Sequence, residues 1–178
     1  VLDYFVSSYI IGLMNIFVLH DSPVASARLQ CDKHVVKMVL ESAQMLCAVF
    51  SNGDAPYKRA YYNHPCTKWT RESLQNYEWH LKHAMELALE YNRRYGKIHK
   101  SFQVIKWCSE NYESLNLPDI GMTPFAQAMP DEYKHENPVV AYRAFYEGEK
   151  MEFAKWDRSE WVKPRWLYDM ILKQRGEN

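Results

Sequence analysis

Four short segments, far apart in the chain, concentrate the side chains that could do chemistry: CDKHVVK (Cys31 to Lys37), YNHPC (Tyr62 to Cys66), RYGKIHK (Arg94 to Lys100) and TPFAQAMPDEYK (Thr123 to Lys134). Each mixes ionisable groups with aromatics or with residues of special backbone geometry, which is how polar sites are assembled from separate elements. Asp32 is the first candidate. On a helix it shares a face with Val35, Val36, Val39 and Ala43, so a carboxylate sits among apolar neighbours and must be paired, hydrogen-bonded or shifted in pKa. An ion pair with an arginine would satisfy that requirement as well as catalysis would. Lys33, Lys37 and Gln44 fall on another face with His34 and Glu41 nearby, and this group reads as a solvated charge stripe.

Asn63 and His64 stand just before a helix start, where free backbone N–H groups and the positive end of the helix dipole favour an anion such as phosphate; simple capping is the plainer role. Glu72, Asn76 and His83 follow at steps of four and seven with Arg71 beside them, and no four-ligand metal set can be named. Arg93, Arg94, Lys97, His99, Lys100 and Lys106 fall within fourteen residues, interleaved with Tyr91, Tyr95, Phe102 and Trp107. Cations that hold phosphates beside rings that stack on exposed bases are the footprint of a nucleic-acid-binding surface, although a solvated basic helix end has the same composition. The segment from Met122 to Asn137 supplies Thr123, Phe125, Gln127, Asp131, Glu132 and Tyr133. Such a set could wrap a flat polar ring, or could tie down the loop itself.

The elements that must position these groups are mostly helical. Ser22-Pro23 is a cap followed by a first-turn proline and opens a helix to about Phe50, with Val35, Met38, Val39, Ser42, Met45, Leu46 and Val49 recurring at three and four residues. Asn63-His64-Pro65 opens a second, Cys66 to Tyr95, closed by Gly96. Lys97 to Leu115 has a helical pattern, Asn137-Pro138 starts a helix to about Lys150, and Pro164 starts a last one to about Gln174. Between Pro118 and Glu136 four breakers (Pro118, Gly121, Pro124, Pro130) predict a long ordered loop. Only Met14 to Leu19 looks strand-like. The expected fold class is mainly α: one compact helical domain of about five helices, with that loop and at most a short N-terminal strand.

Composition bounds the partners. The chain has 178 residues, 22 basic and 22 acidic, so wholesale polyanion binding is disfavoured while a local basic patch is not. The 47% hydrophobic fraction is ordinary for a globular protein, and a chain of this length buries a real core. The four cysteines, Cys31, Cys47, Cys66 and Cys108, form no CxxC and no zinc-type spacing, and read as reduced, mostly buried thiols of a cytoplasmic protein. Residues 1–13 read as an extension ahead of MNIFVLHDSP, which looks like a natural start, leaving 14–178 as a single catalytic and DNA-binding domain; Asp3, two serines and Asn15 speak against a membrane segment there.

The segments CDKHVVKM, NHPC, RYGKIHKS, TPFAQAMPDEYK and AYRAFYEGEK, with FAKW following, resemble a family of small proteins of bacteriophages and phage-like elements. The family is identified here with an antiviral DNA glycosylase that excises glucosylated hydroxymethylcytosine from phage DNA and leaves abasic sites. The resemblance implies a DNA partner carrying modified bases, no cofactor, no metal and no obligate protein partner. It implies Asp32 or Asp131 facing the sugar, with His64 or Asn63 assisting the water or the departing base. Lys33, His34, Arg71, Glu72, Phe125, Gln127, Glu132 and Tyr133 would line the substrate pocket, and Arg93, Arg94, Lys97, His99 and Lys100 would grip the backbone. No LPGVG-type helix-hairpin-helix loop is present. A lyase route through Lys33, a non-catalytic nucleic-acid binder and a metal-dependent nuclease stay open as alternatives.

Overall fold

The computed structural model describes residues 14–161 and 163–176. The expected 1–13 extension lies outside them. Seven α-helices are described: α1 Pro23–Leu29, α2 Asp32–Val49, α3 Pro65–Glu72, α4 Leu74–Tyr95, α5 Phe102–Asn111, α6 Pro138–Glu149 and α7 Arg165–Arg175, with short 3-10 turns at Tyr112–Leu115 and Asp131–Tyr133. The mainly helical class holds, with more helices than expected because two predicted helices are each split.

Neither split follows from a proline or glycine. Between α1 and α2, Gln30 and Cys31 are extended, and the end of α1 is held by a residue some sixty positions away. Arg94 donates to the carbonyls of Arg28 (2.9 Å) and Gln30 (2.8 Å), satisfying groups that a continuing helix would have used. Between α3 and α4, Ser73 turns extended and its hydroxyl caps the N–H of Asn76 at 3.1 Å. Gly96 ends α4 in the left-handed conformation, as expected, but α5 begins only at Phe102.

The strand-like segment, residues 14–19, is buried but irregular, with Phe17 left-handed, and pairs with no strand among the described residues. Side chains replace the missing ladder: Gln30 donates to the carbonyl of Ile16 (2.8 Å), Ser26 joins the carbonyl of Phe17 (3.1 Å) to the N–H of Leu19 (3.0 Å), and Arg143 donates to the carbonyl of Leu19 (3.0 Å). The segment therefore threads the core as one more layer. α2 packs along α4 and α5, and α1 packs along α4. All four cysteines are free and buried, as their spacing predicts.

The same core holds three neutral histidines. Burial pushes His34 and His80 each down to about 3, and His83 to about 4. In the unfolded chain each takes a proton near pH 6.5, so the unfolded state binds more protons below that value and the fold loses stability as pH drops toward 4. Each histidine then removes about 2 kcal/mol by pH 5. A urea midpoint well below the neutral value at pH 5 is the expected result; equal midpoints at pH 5 and 7 would contradict neutral burial.

Candidate active site

One pocket of about 330 Å3 collects ionisable groups from three separate parts of the chain. Asn15 and Phe17 come from the segment 14–19, Lys33, His34, Lys37 and Glu41 from successive turns of α2, and Lys150 and Phe153 from the end of α6 and just beyond. Glu41 is the chemical centre. It is 5% exposed, and its Oε2 accepts the backbone N–H of Asn15 at 3.0 Å while its Oε1 meets Lys37 Nζ at 3.2 Å. Burial pushes the carboxyl above its ordinary value, and the Asn15 N–H and Lys37 only partly offset this.

The neighbours of Glu41 are fixed in turn. Asn15 donates to the carbonyl of Ala128 (2.7 Å) and its side-chain oxygen accepts the N–H groups of Ile16 (2.8 Å) and Phe17 (3.0 Å). That small loop holds Phe17 at a φ of 54°, a left-handed conformation unusual for a bulky residue and one that clusters at functional sites. The Phe17 ring stacks on His34 with centroids 4.3 Å apart. His34 Nδ1 meets the hydroxyl of Tyr146, whose oxygen accepts the Cys31 N–H at 3.2 Å. Tyr146 thus joins the His34 ring to the start of α2. Lys150 is half-buried against Phe145 (4.6 Å), and burial lowers its pKa. Lys33 and Lys37 are exposed at the rim.

The residues singled out from sequence fall into three groups. Lys33 and His34 line this pocket, and His64 lies close by: it caps α3, its imidazole is pushed down by burial, and the backbone of Met14 counters that shift. Asn63, next to it, is exposed. The loop carrying Lys97, His99 and Lys100 is tied to α2 where His99 Nε2 donates to the carbonyl of Val36 (3.1 Å).

A second group serves the fold. Asp32 is buried in an ion pair with Arg94 (3.1 Å) and accepts the N–H of Arg158 (3.3 Å), so the arginine pairing accounts for its burial. Arg94 is no phosphate ligand: its side chain is 1% exposed and fully occupied by Asp32, Glu90 and two carbonyls. Arg93 is likewise committed to Glu86 (2.9 Å) and Glu90. Phe125 packs on Trp69 (5.1 Å) and Trp79 (4.9 Å), and Gln127 bonds both the N–H and the carbonyl of His135, which ties the loop to itself. The last group is peripheral. Asp131 is exposed with Lys134 (2.7 Å) holding its carboxyl below the ordinary value; Glu132 is exposed; Tyr133 bonds Glu149 (2.9 Å); Glu72 accepts from Thr123 (3.0 Å); and Arg71 lies over the Tyr62 ring (3.8 Å).

Glu41 was misread as part of a solvated stripe. The signal that could have found it is position: it stands three and four residues from Met38 and Met45, on the apolar side of α2. Lys150 and Asn15 carry no such signal, since only folding brings them to α2. Among the described residues no three His, Cys, Asp or Glu side chains gather to hold a metal, and no helix is long and apolar enough to cross a membrane.

No curated protein and no solved structure matches the chain. A model of the pyrimidine dimer DNA glycosylase family matches residues 14–104, just over half of the chain and the stretch that contains Asn15, His34, Lys37 and Glu41. The chain belongs to the pyrimidine dimer DNA glycosylase family.

Proposed function

We propose that this DNA glycosylase excises a modified pyrimidine, in the first place a pyrimidine dimer, with Glu41 as the carboxylate that faces the sugar. The observation that carries the reading is a buried carboxylate of raised pKa in a pocket rimmed by lysines. As the base departs, positive charge develops on the sugar, and a carboxylate held out of water stabilises it far more than a solvated one would. Lys33, exposed at the rim, is placed to take a flanking phosphate, Lys37 stays paired with Glu41, and the His34 imidazole edge can hydrogen-bond a pyrimidine.

Two nucleophiles fit beside Glu41. Water, activated by the carboxylate, leaves an abasic site. An amine attacking C1′ expels the base, which takes up a proton from the amine; the C1′–O4′ bond then opens, a second amine proton passes to O4′, and an imine is left at C1′. The nitrogen of Asn15, 3.0 Å from Glu41, would be such an amine in a chain started at Met14 and trimmed of that methionine; within a longer chain it is an amide and cannot attack.

The test offers unmodified, dimer-containing, hydroxymethylated and glucosylated DNA, with EDTA present, to the 178-residue chain and to one started at Met14. Expected are cleavage of one glycosyl bond in dimer DNA, read as an alkali-labile site and as free pyrimidine only after photoreversal of the cyclobutane ring that keeps the base on its neighbour, and a borohydride-trapped adduct mapping to Asn15 in the shorter chain only. Release from glucosylated DNA alone would instead establish the substrate implied by the phage resemblance. Salt-sensitive binding without cleavage would sink the catalytic reading.

A further inference from the structure

The loop between α4 and α5 presents Ile98 to solvent at 72% exposure, the most exposed large hydrophobic residue described, between Lys97 and Lys100. It is not loose. Gly96 turns the chain at the end of α4, the His99 ring lies edge-on to Tyr91 (4.9 Å), Nε2 of His99 is bonded to the carbonyl of Val36, and Nδ1 accepts the N–H of Ser101 (3.1 Å). On α2, to which His99 ties this loop, Val36 and Leu40 are exposed at 37% and 41%, one turn apart. On a helix that stripe borders the row of Lys33 and Lys37, which opens onto the Glu41 pocket. Exposed Ile98 flanked in sequence by Lys97 and Lys100, on a loop bonded to the helix that exposes Val36, Leu40, Lys33 and Lys37, fits one partner: an apolar stack with phosphates on its flanks, which is duplex DNA.

We infer that Ile98 is the wedge that enters the base stack and holds open the gap left when the modified nucleotide moves into the Glu41 pocket. The inference rests on the glycosylase reading above. A nucleotide cannot reach a pocket of this kind while stacked, and an aliphatic side chain inserted at the vacated step offsets the loss of stacking. Lys97 and Lys100 hold the backbone on either side, and the His99 bond to α2 keeps wedge and pocket in register. Ile98 is a positioning residue: it touches the neighbouring bases and not the scissile bond. Because its side chain is in water, its removal leaves the core untouched.

The experiment compares wild type, Ile98→Ala and Ile98→Leu on one lesion placed in a duplex and in the same strand alone. A 2-aminopurine beside the lesion reports unstacking by its fluorescence. Expected is a fall of about ten-fold or more in kcat/KM on the duplex for Ile98→Ala, near-wild-type action on the single strand, loss of the fluorescence rise, and recovery of all three by Ile98→Leu. Equal duplex rates for wild type and Ile98→Ala, or equal losses on both substrates, overturn the wedge. If the wild type excises nothing, the glycosylase reading fails on its own, and the dependence of the fluorescence rise on Ile98 still decides whether this side chain opens the stack.

Discussion

Glu41→Gln is expected to lower glycosyl-bond cleavage by about 10²-fold or more while making the protein harder to unfold at neutral pH. The two effects have one cause. Glu41 is 5% exposed, and burial raises its pKa, so the folded protein favours the protonated form. Below pH 4.5 both folded and unfolded chains hold the proton and the carboxyl carries no penalty. As pH rises the unfolded chain releases the proton first, and the fold bears the cost of a desolvated charge at neutral pH. Glutamine keeps the shape and can still accept the Asn15 N–H, but it carries no charge to desolvate and none to offer the sugar. Excision assays with urea unfolding of the same preparation measure both. The pH profile of the wild type should rise through the raised pKa of Glu41, with its acidic limb above the ordinary carboxylate range. Asp131→Asn is the contrast: that carboxylate is in water and paired with Lys134, so excision should stay within about two-fold, as surface ion pairs contribute little. Loss of activity in Asp131→Asn with retention in Glu41→Gln would reverse the assignment.

Arg94→Met is expected to unfold the protein or leave it severely destabilised, by about 3–5 kcal/mol, against a typical total of about 5–15 kcal/mol. The guanidinium is 1% exposed and serves four acceptors at once: Glu90, itself 1% exposed on its side chain, at 3.0 Å; Asp32 at 3.1 Å; and the carbonyls of Gln30 and Arg28. Removing it leaves buried Asp32 without its ion-pair partner, takes one of two arginines from Glu90 and frees the end of α1, so the junction between α1 and α2 loses what shapes it. Arg94→Lys should rescue little, because one ammonium cannot reach four acceptors arranged for a planar fork. Thermal unfolding by circular dichroism measures the loss. A variant that melts like the wild type and loses only DNA affinity would restore the phosphate-contact role expected from sequence.

Arg94 also marks the limit of what the chain reveals in one dimension. The capping signals at Ser22-Pro23, His64-Pro65 and Asn137-Pro138, and the left-handed Gly96, are short-range, and each appears in the structure where the residues predict it. Local steric and hydrogen-bonding rules suffice for such features. The break at Gln30 and Cys31 has no local cause, so a period of three and four residues ran through it unseen. His34 and Lys33, singled out within one dense motif, line the Glu41 pocket. Asp32, in the same motif, is as polar and as buried, yet it faces Arg94 instead of the pocket.

By itself, then, the sequence determined a mainly helical domain with reduced thiols, the starts of most helices, a local basic run and a DNA-facing character. Each depends on composition or on neighbours within a turn or two. The tertiary structure alone decided which carboxylate is held dry, which cations remain free, and that Asn15, Glu41 and Lys150 share one pocket. The reason is physical: desolvation and charge pairing depend on what surrounds a group in space, and Asn15 and Lys150 are more than one hundred positions apart. Glutamate at 41 and aspartate at 131 carry the same functional group; only burial separates a raised pKa from a lowered one.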